Sequence, residues 1–344
     1  MNRLILFALF TKTWFSRPFI RVSILVALTV WTTWLIVVSP SAAISNMILH
    51  WKIAVTMVFG SMIAGGTSMG GGAVAFPVLT KVLQVPAHEA RVFSLAIQTI
   101  GMGAASLTIV AMGTPLEWRF IRWVSLGGVP GIIISSVFLA PIIPANATKI
   151  CFTIMISSFA IILILLNRSI SHPNLVIKSW GKWERNVSFC IGIIGGIISG
   201  LVGSGMDIFA FSVMVLLFGV CEKVSTPNSV ILMAINTAVG FFLHKFVLGN
   251  FVEPVSNYWL AAVPVVVVGA PLGAILCNLL NRTTVIWVLI SLIFVELVSS
   301  LLLIPLTLPI IYTAGLALIL FLSLFFWMYK ARNLLTVKLS KSNH

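Results

Sequence analysis

The sequence predicts an all-α integral membrane protein. Its expected architecture is two inverted repeats, each a glycine-broken re-entrant helical hairpin plus three transmembrane helices, with extra transmembrane helices at the N- and C-terminal ends. Three observations predict it. The chain of 344 residues is 60% hydrophobic and only 8% charged, where soluble domains run near a quarter charged. Eight apolar runs carry few charges, most of them near the ends, about 22–39, 88–112, 118–140, 147–167, 225–248, 256–279, 283–305 and 308–329, and each approaches the roughly 20 residues that one crossing needs. Two further stretches, 51–83 and 186–220, are equally apolar but are interrupted by glycines.

In chain order, residues 1–50 hold a basic segment and the first crossing. Arg3, Lys12, Arg17 and Arg21 precede the apolar run Val22 to Val38, which Ser41-Ala42-Ala43 follows. That order also fits a signal peptide with a small-residue cleavage site. The apolar run is longer than such a segment requires, so an uncleaved first span is expected. Residues 51–167 form the first repeat, 168–185 a basic linker, 186–305 the second repeat, and 306–344 the last crossing with a basic tail. The four cysteines, Cys151, Cys190, Cys221 and Cys277, lie in or beside apolar runs without C-x-x-C spacing, which argues against a disulfide framework or a metal site. No cofactor is implied.

The repeat is visible residue by residue. Residues 64–79 and 199–214 align without gaps, with Gly65/Gly200, Gly70/Gly205, Ala75/Ala210, Phe76/Phe211 and Val78/Val213 identical. Downstream, Ala96-Ile97-Gln98-Thr99 matches Ala234-Ile235-Asn236-Thr237, and Gly128-x-Pro130 matches Gly269-x-Pro271. Three matches in the same order make the chain a duplication.

Charge decides how the broken stretches meet the membrane. The net charge of +14 would suggest nucleic acid in a soluble protein, but the hydropathy makes it a topology signal and removes nucleic acid as a partner. If each broken stretch returns to the face it entered and the N-terminus is inside, sixteen of the 21 Lys and Arg face the cytoplasm; if both cross, thirteen do. The positive-inside bias prefers the hairpins and puts both termini on the cytoplasmic side. Residues 51–66 also make a helix of only about 24 Å at 1.5 Å per residue. Three crossings per repeat then invert the second copy, and inverted repeats with broken helices are the architecture of secondary transporters.

Breaking a helix in lipid exposes backbone groups that need partners. Gly65, Gly66, Gly70, Gly71 and Gly72 could serve close helix packing. The alternative is functional. After Gly72 a half-helix begins with free N–H groups at Ala73, Val74 and Ala75, and Met206 to Phe209 repeat the device. Two half-helix N-termini near the midplane, with their positive dipole ends, would hold a small anion. The candidate binding residues are therefore Ser68, Met69, Gly70, Gly71, Gly72 and Ala73 from the first half, with Gln98 and Thr99 behind them. Gly203, Ser204, Gly205 and Met206 come from the second, with Asn236 and Thr237 behind. Gln98 and Asn236 would donate hydrogen bonds to an oxyanion, or bridge helices instead. Ser94 reads as a helix-facing hydroxyl.

Two acids fall inside the membrane, Asp207 and Glu296, and such carboxylates are functional candidates by default. Asp207 is placed to cap the second half-helix or to carry a proton in exchange with the anion; Glu296, away from the glycines, suits a structural or a relay role. His88 and Arg91, with Glu89, open the helix after the first hairpin, and His244 and Lys245 end its counterpart. They read as solvated helix ends or as an outer vestibule that draws anions.

At these residues the chain resembles a known family. Ser68-Met69-Gly70-Gly71-Gly72-x-x-x-x-Pro77, followed by Pro86-x-His88-x-Ala90-x-x-x-Ser94-Leu95, is similar to the TauE/SafE family of sulfite and organosulfonate exporters, relatives of toluene-sulfonate permeases, over roughly 51–305. The second copy departs from the pattern: Gly203-Ser204-Gly205-Met206-Asp207 lacks the triple glycine and Ser212 replaces the proline. The resemblance implies an inner-membrane carrier of bacteria that exports sulfite, sulfoacetate or another sulfonate. Its partners would be that anion and the bilayer, with a homodimer left open. A passive anion channel of the same architecture is the alternative. A remote one is an intramembrane serine hydrolase built on Ser204 and His244.

Overall fold

The computed structural model describes residues 17–71, 78–167, 174–305 and 307–342. Among them every regular element is helical, with no strand. The helices are α1 (Pro18–Val38), α2 (Pro40–Leu49), α3 (Trp51–Gly66), α4 (Ala87–Ala111), α5 (Trp118–Ile134), α6 (Ala145–Asn167), α7 (Lys182–Val202), α8 (Met206–Leu216), α9 (Glu222–Phe242), α10 (Val255–Leu279), α11 (Arg282–Leu303) and α12 (Leu308–Ser342). Short π-helical turns occupy Val78–Val82, Ser135–Leu139 and Leu243–Val247.

Nine of these helices are long and apolar enough to cross a membrane. Eight are the eight uninterrupted runs of the sequence, with ends that agree within a few residues. The ninth is α7, whose first turn is charged (Lys182, Glu184, Arg185) and whose apolar part stops at Gly203. Its continuation, α8, has only eleven residues, all buried. The element that hydropathy did not separate is α2: it meets α3 at 85° around His50, with Ile44, Ile48 and Leu49 exposed.

Proline and tryptophan explain how the first helix is held. Pro264 lies inside α10 and supplies no N–H to the carbonyl of Leu260 one turn earlier. Trp34 of α1 donates its indole N–H to that carbonyl at 3.0 Å, and Trp31 donates to the carbonyl of Pro264 at 2.9 Å. In an apolar surround a freed carbonyl needs such a donor. Thus α1 is bonded into the bundle.

Two backbone-to-backbone seams form the interior. Along one, α3 packs on α10: a Cβ on Gly65 would overlap the Ala270 carbonyl, and Gly273 faces Met62 and Gly66 in the same way. Along the other, α7 packs on α5, with Gly127 against Phe189, Gly131 against Ile193 and Gly196 against Gly128. Gly65 and Gly66 are therefore packing glycines. Between the seams run α4 and α9, packed on each other, while α1, α11 and α12 present apolar side chains such as Leu25, Phe294 and Leu316 outward.

Polar contacts collect at the two ends of the bundle. At one, the backbone N–H of Ile177 donates to Glu117 at 2.9 Å, Asn174 pairs with Gly219 and Cys221, and Arg282 grips Glu222 with two hydrogen bonds of 2.5 and 2.9 Å. At the other, His50 meets the Tyr258 ring at 5.1 Å, Asn46 donates to the carbonyl of Asn257, and Lys245 lies over the rings of Phe241, Phe246 and Phe251.

Candidate functional site

The glycine turn between α7 and α8 is the centre of the site. Gly203 ends α7 with φ +85° and Gly205 starts α8 with φ +128°. Both lie in the left-handed half of backbone space that side chains disfavour, so the tight reversal requires glycine here. Gly70, in the first broken stretch, has φ +67° and faces this turn directly. A Cβ on Gly70 would meet Asp207, Ser204 Oγ at 2.9 Å and Gln98 Oε1 at 3.0 Å. Residues expected from both halves of the sequence are thus brought to one place.

The turn is anchored by α4. The carbonyl of Gly203 accepts hydrogen bonds from Ser94 Oγ at 2.8 Å and from Gln98 Nε2 at 2.8 Å; Gln98 Nε2 also reaches Ser94 Oγ at 2.9 Å. This corrects the expectation for Ser94, and for Gln98 it fits the helix-bridging alternative. Ser94 bridges two helices instead of facing its own. The Gln98 amide spends its N–H groups on the Gly203 carbonyl, freed at the end of α7, and on Ser94, and presents its oxygen to the site. Sequence reasoning missed this link because Gly203 and Ser94 are 109 positions apart.

Several polar atoms at the turn are buried and have no hydrogen-bond partner: Ser68 Oγ, Gln98 Oε1, Ser204 Oγ, both oxygens of Asp207, and both amide atoms of Asn236. Ser204 and Asp207 are fully buried, and Ser68, Gln98 and Asn236 are at most 3% exposed. Unpartnered buried polar atoms are rare because each costs about 1–3 kcal/mol. Five such side chains make this turn the candidate binding site. Asn236 joins the group through Gly128, which lies against both its side chain and that of Met206.

The remaining candidates separate. The hydroxyls of Thr99 and Thr237 are spent on the carbonyls of Leu95 and Met233 in their own helices, at 2.9 and 2.8 Å. Of the amides that open α8, Met206 donates to Ser199 Oγ at 2.9 Å and Phe209 to the Gly205 carbonyl at 3.0 Å. That leaves the Asp207 and Ile208 amides, which turn toward the Asp207 carboxylate. Amides of this first turn surround the Asp207 carboxylate, but none forms a well-aligned hydrogen bond with it. Ser199 was not anticipated. Met69 is buried and its N–H donates to Thr67 Oγ1 at 3.3 Å, and Gly71 packs on Ala64 and Gln98. Gly72 and Ala73 lie outside the described residues.

The outer group divides in two. His244 is fully buried and Arg91 has a buried Nε, and both Arg91 Nε and His244 Nε2 lack partners. The backbone of Arg91 lies against Gly203. His88, 72% exposed, sits 4.0 Å from Glu89, and Lys245 sits among aromatic rings. Ser204 Oγ and His244 Nε2 are each unpartnered, so they do not form the hydrogen-bonded pair that a nucleophile and base require. Glu296 lies elsewhere, between α6 and α11, where Thr153 at 3.3 Å and Ser300 at 3.0 Å donate to it.

A family model described as sulfite exporter TauE/SafE matches residues 53–300. The chain belongs to the TauE/SafE family. The matched segment contains both glycine turns, α4 and α9, and so the whole candidate site. This TauE/SafE protein is a multi-pass membrane protein of a transporter family, whose name points to export of sulfite or a related sulfur anion. No curated protein and no solved structure matches the chain at a significant level.

Proposed function

We propose that this protein carries a small sulfur-containing oxyanion, sulfite or an organosulfonate such as sulfoacetate, outward across a bacterial inner membrane by alternating access. The observation that carries the proposal is the set of buried, unpartnered polar groups from both halves of the chain at the α7–α8 turn: Ser68 and Gln98 from the first half, Ser204, Asp207 and Asn236 from the second. The donors there are the Ser68 and Ser204 hydroxyls, the Asn236 amide and the N–H groups that open α8. An oxyanion accepts from all of them, and a helix N-terminus favours it further.

Two repeats of opposite orientation, 51–167 and 186–305, supply the moving parts in this reading. Its support is the exchange of partners between halves. The helix before the first glycine turn packs on the Gly-x-Pro helix of the second half, and the reverse holds for α7 and α5. Equivalent pairs meet: Ser61 touches Gly269 as Gly196 touches Gly128. A re-entrant second hairpin is supported by Asn174, before α7, pairing with Gly219 and Cys221, after α8. The end carrying Glu117, Arg119, Glu222 and Arg282 is then cytoplasmic, and Arg91 and His244 line the outward exit, where their free nitrogens would meet the leaving anion.

Reconstituted protein in liposomes loaded with sulfite, sulfoacetate or taurine tests the reading. Saturable efflux with counterflow of at least one is expected. Unsaturable flux would mean a channel, and no flux of any of them would sink the proposal.

A further inference from the structure

The anion reading leaves one feature unexplained: the turn holds a carboxylate. Asp207 is fully buried and both its oxygens are unpartnered. An ionised carboxylate there repels an incoming oxyanion, and without a partner it is costly in itself. The described residues give it no cationic partner. The ion pairs His88–Glu89, Arg119–Glu117 and Arg282–Glu222 engage other carboxylates.

The space in front of Gly70 answers this charge. At the point where a side chain on Gly70 would begin, the three nearest atoms beyond the turn itself are all oxygens: one from the Asp207 carboxylate, Ser204 Oγ at 2.9 Å and Gln98 Oε1 at 3.0 Å. Each of the three is buried and without a partner, and so is Ser68 Oγ two residues before Gly70. Gln98 turns its oxygen to this point because Gly203 and Ser94 hold its nitrogen. A single carboxylate with neutral oxygens suits a monovalent cation. Calcium and magnesium sites use six or more oxygens and commonly several carboxylates, and no group of three His, Cys, Asp or Glu exists among the described residues.

We infer that Asp207, Gln98 Oε1 and Ser204 Oγ, gathered around Gly70, form with the nearby segment of Ser68 a site for a sodium ion that binds together with the anion. The inference rests on the anion reading of the same turn and supplies its coupling. The cation neutralises Asp207 and so raises anion affinity, and linkage makes the anion raise cation affinity by the same factor. A water molecule at the same point would satisfy the oxygens but would leave the charge of Asp207 unanswered.

The test uses the full-length protein in lipid nanodiscs at fixed pH and ionic strength, in sodium gluconate or choline gluconate. Sulfite binding is titrated calorimetrically, and the melting temperature is followed without sulfite. In the wild type, sodium should tighten sulfite binding at least tenfold and should raise the melting temperature on its own. Asp207→Asn should bind sulfite equally in the two salts and show no melting response to sodium; Ser204→Ala should show both responses weakened. Should Asp207→Asn fail to fold, Ser204→Ala carries the comparison. A melting response to sodium without any sulfite binding would keep the cation site and remove the anion assignment. The inference falls if sodium changes neither quantity, if Asp207→Asn responds like the wild type, or if sulfite binding follows pH alone.

Discussion

The two carboxylates inside the bundle, Asp207 and Glu296, look alike in the sequence and differ completely in their surroundings. Glu296 is 8% exposed, between α6 and α11, and takes hydrogen bonds from Thr153 and Ser300. Those two hydroxyls also bond each other at 2.8 Å, so the group closes into a small network. Asp207 is more deeply buried and has no well-formed bond at all. A satisfied buried acid holds helices together. An unsatisfied one sits at a cost in stability that folding does not explain, and such strain gathers where a ligand completes the structure.

Substitutions at the two acids should separate these roles. The largest effect is expected at Asp207. Asp207→Ala should lower sulfite efflux from proteoliposomes at least a hundredfold while leaving the melting temperature unchanged or higher, because it removes an uncompensated buried group. A fall in melting temperature with efflux intact would reverse the assignment. Next comes Gln98→Ala, which strips a donor from the Gly203 carbonyl. It should cost about 1–3 kcal/mol of stability and weaken efflux roughly tenfold, since Ser94 still holds the turn.

Glu296→Leu should do the opposite of Asp207→Ala. Removing the carboxylate that Thr153 and Ser300 share should cost about 1–2 kcal/mol in a thermal unfolding assay, with efflux within about twofold of the wild type. A loss of transport on that substitution would make Glu296 a relay and dissolve the contrast. The smallest effects belong to Thr99→Val and Thr237→Val, whose hydroxyls bond only their own helices. Each should shift stability by less than about 0.5 kcal/mol and leave efflux unchanged. Either one abolishing efflux would show that the site extends beyond the unpartnered groups.

Much of this molecule was readable without coordinates. Crossing helices are set by hydropathy over about twenty neighbouring residues, so the eight uninterrupted runs appear nearly to the residue. The glycine breaks and the duplication are local facts too, and they drew Ser68, Gly70, Gln98, Ser204, Asp207 and Asn236 into one candidate group. Less readable was α2, because Pro40–Leu49 is too short and too mixed to stand out beside the long crossings. Arg91 and His244 were grouped with the exposed His88 and Lys245 because a helix end in sequence does not say which side chain turns inward.

What the sequence determined by itself was the all-helical membrane class, eight of the nine described helices long and apolar enough to cross, and the two glycine-interrupted stretches with the residue types around them. Each depends on composition or spacing within a few turns of chain. The tertiary structure alone decided which polar atoms are already spent. Gln98 gives its N–H groups to Ser94 and to Gly203, 105 positions away, and thereby offers an oxygen to the site, while Glu296 finds a partner 143 positions away in Thr153 and Asp207 finds no side-chain partner. Hydrogen bonds in a membrane interior are satisfied by whatever the fold brings near, and that neighbour is not encoded in the local run of residues.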